Sequence, residues 1–440
     1  MFDASIFSEI IADSLEKALP DMVQRQARLA DVPHMANVVV GMRRSGKTWF
    51  FYQEMQRLLS IGIDRSQLLY LNLEDERLLG MQVSDLKHIL DTYYRLCPHN
   101  LDRQCYLFLD EVQSIVGWET YVRRILDSEN LKIYLTGSSS KMLSQDLATS
   151  MRGRCVETSV FPFSFREFLK AHGIEIPANL ERVSKATRSR LEYALLQYLN
   201  HGGFPALTHL DPVDRTQILQ SYVDTVIYRD LIERHGLSNI LVVKNLIKRL
   251  LSDVGERFSI TGFYNDLKSQ GIQCSKSTVL EYFDYLQEAF LVFSVSIESN
   301  SEKRKQLNPK KIYSIDTGLA RAYTTKRTQD FGHLLENAIF LELKRRRYQV
   351  TYIQDLSGLE IDFLASCASH QELIQVCANI NQEATLNREC APFAQMKDKH
   401  FIRTIITLND QKCIPHEYGD IQVIPAWKWL LMQPSFQDEK

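Results

Sequence analysis

Gly41-Met42-Arg43-Arg44-Ser45-Gly46-Lys47-Thr48 has the G-x-x-x-x-G-K-T spacing of a phosphate-binding loop. Gly41 and Gly46 permit backbone geometry that a side chain would block. Successive amides of the loop, with Arg43, Arg44 and Ser45 between the glycines, can then face phosphate oxygens. Lys47 is expected to reach the β- and γ-phosphates, and the Thr48 hydroxyl to ligate Mg²⁺. The flanks agree with this. Val38-Val39-Val40 is a β-branched run suited to a buried parallel strand. After the loop, Trp49, Phe50, Met55, Leu58 and Leu59 interleave with Tyr52, Gln53, Glu54 and Arg57, as in a helix. Strand, loop and helix is the context the motif requires, because the helix N-terminus adds its dipole to anion binding.

Composition bounds the rest. The chain has 440 residues, enough for two or three cores. An apolar share of 45% and a charged share of 24% are ordinary for a globular chain. A net charge of −2 advertises no nucleic acid, so any such surface must be local. The eight cysteines are scattered without a C-x-x-C pair, which speaks against zinc and a disulfide framework and for a reducing cytosol. With no long apolar run and no leader pattern, a cytoplasmic protein without membrane contact is expected.

Apolar strand-like runs at Val38–Val40, Leu68–Leu71, Tyr106–Leu109 and Ile133–Leu135 alternate with helical patterns. That alternation predicts an α/β fold, a parallel sheet with helices on both faces. The expected organisation is a helical lead-in over 1–32 and a P-loop domain over 33–210. A helical, winged-helix-like segment follows over 211–300. A second small α/β domain spans 301–410, with a C-terminal extension over 411–440. The basic stretch from Lys303 to Lys311, with Pro309 inside it, reads as a loop or linker.

Tyr106-Leu107-Phe108-Leu109-Asp110-Glu111 is an apolar strand ending in two acids. Beside a phosphate loop, Asp110 is expected to hold Mg²⁺ and Glu111 to orient and polarise attacking water. The double acid, with no N-K-x-D signature, favours water attack on ATP. Lys132–Ser140 is another strand ending in small polar residues, from which Ser138 is taken to sense the γ-phosphate or to help place the water. In Arg152-Gly153-Arg154, Arg154 is taken as the arginine that neutralises transition-state charge, within the chain or from a neighbour in an oligomer.

These motifs, in this order and followed by Phe161-Pro162-Phe163-Ser164-Phe165-Arg166-Glu167-Phe168, resemble a prokaryotic AAA+-type ATPase family with a C-terminal domain of unknown function. The resemblance spans about residues 35 to 410. It implies ATP and Mg²⁺ as ligands. It also implies that Gly202-Gly203-Phe204-Pro205 sits near the adenine base, with Pro205 as the contact.

Downstream, Phe258–Val295 reads as helix, glycine turn at Gly271, helix and strand, which resembles a winged helix. Leu267, Val279, Leu280, Phe283 and Leu286 are its expected core, and Ser275, Lys276, Ser277, Glu281, Asp284 and Tyr285 its outward face. That face is poor in positive charge, so residues 258–311 are open to two readings, DNA contact or a regulatory module. The last unit resembles a restriction-endonuclease-like core, with Glu336 on a helix and Asp362 on a strand. Gln375 and Cys377 stand where the resemblance requires an acid and a lysine, which implies a fold kept for binding, with a DNA nuclease as the alternative. The combined expectation is an ATPase coupled to rearrangement of C-terminal binding domains. Its rival is a rarely hydrolysing, nucleotide-gated switch that binds a protein partner.

Overall fold

Val38, Val39 and Val40 close strand β1 (Ala36–Val40), every residue of which is buried, as a strand covered on both faces requires. The computed structural model of the chain describes every residue except 1–3, 139–150, 152, 325–330, 356, 368–369, 399 and 434–440. It divides into two units, Met1–Phe161 and Pro162–Lys440. Residues 162–210, which the sequence groups with the P-loop domain, belong to the second.

In the first unit, β1 leads into α2 (Lys47–Ser60), preceded by α1 (Ala4–Glu16). Then come β2 (Leu68–Asn72), α3 (Lys87–Leu96), β3 (Cys105–Asp110), α4 (Trp118–Ser128), β4 (Leu131–Gly137) and β5 (Cys155–Ser159). The sheet order is β2-β3-β4-β1-β5, and every pairing is parallel. Parallel neighbours need long crossovers, which these helices supply. One core cluster is aromatic: Phe108 stacks on Tyr134 at 4.5 Å and meets Phe51 of α2 edge-on at 5.2 Å. The topology has one consequence for the site. β4 lies between the strand that feeds the phosphate loop and the strand that carries the acids.

The lead-in is not helical to residue 32. α1 stops at Glu16, and residues 17–32 have no regular structure. Pro20 lacks the N–H a helix needs. The chain beyond it instead ties its backbone to α2: Arg25 N donates to Gln53 Oε1 at 2.6 Å, and Gln53 Nε2 donates to Arg25 O at 3.2 Å. Leu19, Met22, Ala27 and Leu29 pack against the aromatic core.

The second unit starts with helices Phe165–Ala171, Lys185–His201 and Pro212–Thr225. A π-helical stretch, Val226–Ile232, and the helix Ile240–Ser252 follow. Next are β6 (Arg257–Phe258), helices Ile260–Ser269 and Lys276–Glu288, β7 (Val292–Val295), helix Glu302–Leu307 and β8 (Lys310–Ser314). These strands form an antiparallel sheet in the order β6-β8-β7. The basic stretch is therefore a short helix and a central strand, not a linker, and the expected division at 300/301 falls between two paired strands. Leu280 is a further correction. It is 49% exposed, because Val279, Tyr282, Phe283 and Leu286 already fill the inward face of its helix.

After helix Phe331–Arg345 come β9 (Gln349–Gln354), β10 (Glu360–Cys367), β11 (His370–Val376), helix Glu383–Cys390, β12 (Ile402–Thr407), β13 (Lys412–Ile414) and β14 (Ile421–Pro425). They build a six-stranded sheet in the order β13-β14-β12-β11-β10-β9. The expected extension from 411 thus contributes two strands. Ile421 and Val423 alternate into the core beside Ile405, and β14 pairs parallel with β12. Residues 434–440 of that extension lie outside the described residues.

Candidate active site

β1 delivers the chain into the loop at Gly41, where space decides the residue. A Cβ there would lie 2.3 Å from the carbonyl oxygen of Val160, whose N–H donates to Val40 O at 2.8 Å. Gly46 closes the loop with left-handed backbone (φ 101°) and caps α2, so the helix's first amides are open at the loop. Ser45 Oγ is buried with no hydrogen-bond partner. Lys47 is only 4% exposed; its ammonium donates to Gly41 O at 3.2 Å and lies 3.3 Å from Glu111 Oε1. Arg43 pairs with Glu74 at 3.5 Å, while Arg44 is exposed with φ 66°.

Asp110 ends β3 and is held from three elements. Its Oδ2 accepts from Thr48 Oγ1 at 2.6 Å and from the Tyr70 hydroxyl at 2.9 Å, and its Oδ1 accepts from Thr136. The Thr136 oxygen also accepts from the backbone N–H of Glu111 at 2.8 Å. One β4 hydroxyl therefore positions both acids. Burial and the neighbouring Asp110 push the Tyr70 phenol far up, so it stays a donor.

Glu111 adopts left-handed backbone (φ 54°, ψ 51°), a conformation that costs a non-glycine residue about 1–3 kcal/mol. Burial opposes ionisation of its carboxyl. The Lys47 ammonium, a hydrogen bond from Gln113 Nε2 at 2.5 Å and the charge of Arg43 outweigh that penalty. Together they hold Glu111 below the usual carboxylate range.

The donor set fits the implied ligands. A hydroxyl and a carboxylate are the hard oxygen donors Mg²⁺ takes, with water and phosphate completing its shell. A helix start with a buried lysine fits phosphate. The orphaned Ser45 hydroxyl, held beside that helix start, has hydrogen-bonding capacity to offer a ligand.

A family model described as an AAA domain matches residues 33–169, and one for a domain of unknown function, DUF8612, matches residues 192–330. An uncharacterised protein of Methanocaldococcus jannaschii is 34% identical over 98% of this chain and 96% of its own length. An uncharacterised protein of Haemophilus influenzae is 30% identical over 90% of this chain and 94% of its own. The chain belongs to the family of these two proteins. Among solved structures, the Walker-type ATPase of Pyrococcus abyssi aligns with a TM-score of 0.43 at 14% identity, covering 73% of this chain and 96% of that one.

Of the residues singled out in this family member's sequence, Lys47, Thr48, Asp110 and Glu111 converge directly. Ser138 is buried just past β4, and Thr136, two residues earlier, is a hydroxyl that touches both acids. Spacing alone does not separate the two. Arg154 is 45% exposed and its guanidinium pairs with Asp127. Ser139, Ser140 and Arg152 lie outside the described residues. Tyr70 and Gln113 escaped the sequence reading. Tyr70 sits in an apolar strand run that any core tyrosine would suit, and Gln113 in a turn without a motif.

In the second unit, Pro205 opens the short turn Pro205–Leu207. The glycines before it answer to packing there. A Cβ on Gly203 would lie 2.3 Å from Phe163 O, and the Gly203 N–H donates to the buried Asp316 at 2.6 Å. Beside the six-stranded sheet, Glu336 of helix Phe331–Arg345 and Asp362 of β10 both reach Lys311, with burial pushing Glu336 up to about 7. Gln375 is a buried connector: its Oε1 accepts from Asp362 N at 3.3 Å and its Nε2 donates to Glu389 at 2.8 Å. The Cys377 thiol donates to Asn379 O.

Proposed function

We propose that this chain is a Mg²⁺-dependent ATPase whose cycle drives rearrangement of its C-terminal domains in a DNA-associated process. The observation that carries this reading is the Lys47–Thr48–Asp110–Glu111 constellation, tied together by Thr136. In the proposed cycle, Lys47 leaves Glu111 for the β- and γ-phosphates, and Thr48 and Asp110 hold Mg²⁺. Glu111, freed and ionised, polarises the attacking water. Ser138 senses the γ-phosphate, Arg154 engages from a domain or subunit edge, and Pro205 contacts the base.

The DNA part of the proposal rests on topology. Helix Ile240–Ser252, β6, two helices, β7 and β8, with sheet order β6-β8-β7, support reading this segment as a winged helix. Lys276 at the start of its second helix and Lys303 and Arg304 between β7 and β8 are exposed, against Glu281 and Asp284. The test is ATP turnover by wild type and Glu111→Gln, with and without duplex and single-stranded DNA. DNA-stimulated turnover that the variant loses is the expected result. Turnover indifferent to DNA would sink the DNA part and leave the ATPase.

The Lys47–Glu111 ion pair favours a second reading as a slow, nucleotide-gated switch that binds a protein partner. Each catalytic group neutralises the other until nucleotide separates them. Turnover that stays slow with every nucleic acid would favour this reading.

A further inference from the structure

Three carboxylates of the second unit point at one nitrogen. Lys311 Nζ, on β8, lies 2.7 Å from Glu336 Oε1, 2.8 Å from Asp362 Oδ1 and 2.9 Å from Glu360 Oε1. The lysine is 3% exposed, and the Tyr313 hydroxyl donates to the same Glu336 oxygen at 2.7 Å. Lys311 donates a hydrogen bond to Asp362 and lies within ion-pair distance of Glu336 and Glu360. Phe363 covers the group from 5.9 Å. A carboxylate cluster of this density is unstable in a protein interior without a cation at its centre.

We propose that Lys311 is a built-in cation that takes the place of a divalent metal between β8 and the endonuclease-like sheet, making that domain metal-independent. The ammonium comes from outside the six-stranded sheet, on a strand of the neighbouring three-stranded one, so it also pins the two sheets together. Its ammonium is held by the three carboxylates, which leaves no free amine to assist a nucleophile. Lys311 is therefore not part of the basic surface formed by Lys303 and Arg304.

The experiment is Mn²⁺ binding by electron paramagnetic resonance and calorimetry, with thermal unfolding alongside. It uses the full chain without nucleotide, in an Asp110→Asn background that weakens the other cation site. The parent is expected to bind no Mn²⁺ at this cluster and to keep its unfolding midpoint when Mn²⁺ is added. Lys311→Ala should lower the midpoint, bind one further Mn²⁺ per chain and recover midpoint as Mn²⁺ rises. A triple variant, Lys311→Ala with Glu336→Gln and Asp362→Asn, should fold without metal and lose the added site. The proposal is overturned if Mn²⁺ binds the parent and Asp362→Asn abolishes that binding. It is equally overturned if Lys311→Ala takes up no additional Mn²⁺, or stays unfolded with Mn²⁺ while the triple variant folds. Mn²⁺-dependent DNA cleavage that Lys311→Ala abolishes would instead make the lysine a catalytic group.

Discussion

Glu111→Gln separates binding from chemistry in a way the geometry makes quantitative. Glu111 Oε1 lies 3.3 Å from the Lys47 ammonium. At an effective dielectric constant near 20, that contact carries on the order of 5 kcal/mol of gross Coulomb attraction, most of it offset by desolvation. ATP must break the pair to reach Lys47. Glutamine keeps the shape and a weaker hydrogen bond but removes the charge, so the variant gives up less on binding. Its ATP affinity should equal or exceed that of wild type, by up to about 10-fold, or about 1.4 kcal/mol. Turnover should fall by about 10²–10⁴-fold, the usual contribution of a general base. Fluorescent-nucleotide titration and a coupled phosphate-release assay read the two quantities separately. Weaker binding with turnover intact would refute both the role given to Glu111 and the ion-pair argument.

Thr136→Val removes the hydroxyl that donates to Asp110 and accepts from Glu111 N. It should lower stability by about 1–3 kcal/mol in urea unfolding and cut turnover at least about tenfold, whereas unchanged kinetics would contradict the role of Thr136 in positioning the two acids. Gly41→Ala places a methyl 2.3 Å from Val160 O, so ATP binding should be lost and the unfolding midpoint should drop; wild-type affinity in a titration would contradict the packing argument. Burial, Arg215 and His172 push His201 down to about 4, below the value near 6.5 of an unfolded chain. The stability this provides is complete above pH 6.5 and is lost as pH falls towards 4. The loss should be about 2 kcal/mol after allowing for partial exposure, and His201→Gln should flatten the pH profile. Replacing Lys303 and Arg304 by alanine should lower the salt slope of duplex binding by about 2, and an unchanged slope would remove this surface from the DNA reading.

The nucleotide end was legible because a phosphate loop leaves fixed marks on the sequence. Glycines stand where Cβ atoms do not fit, a β-branched strand precedes them, and the acids end another apolar run. Thr136 was half legible, since period-two alternation puts it and Ser138 on one face and only the parallel register of β4 chooses between them. Gln113 acts through a contact with Glu111 two residues away that no motif marks, and Tyr70 through a contact between strands distant in sequence. Lys311 was misread for the same reason. Among Lys303–Lys311 it looks like one more surface cation, but strand pairing carries it inward, where its partners lie between Glu336 and Asp362. The strands β13 and β14 were missed because both are short, three and five residues, and β14 finds its place only by pairing with β12 and β13.

The most direct measurement is equilibrium binding of ATP with Mg²⁺ by wild type and Lys47→Ala. Wild type should bind, and the variant should lose on the order of 100-fold or more in affinity, because a charge-assisted phosphate contact and the anchor of the loop to Gly41 O go together. Equal affinity in the two proteins would contradict a nucleotide site at Gly41–Thr48, and with it the account of Asp110 and Glu111.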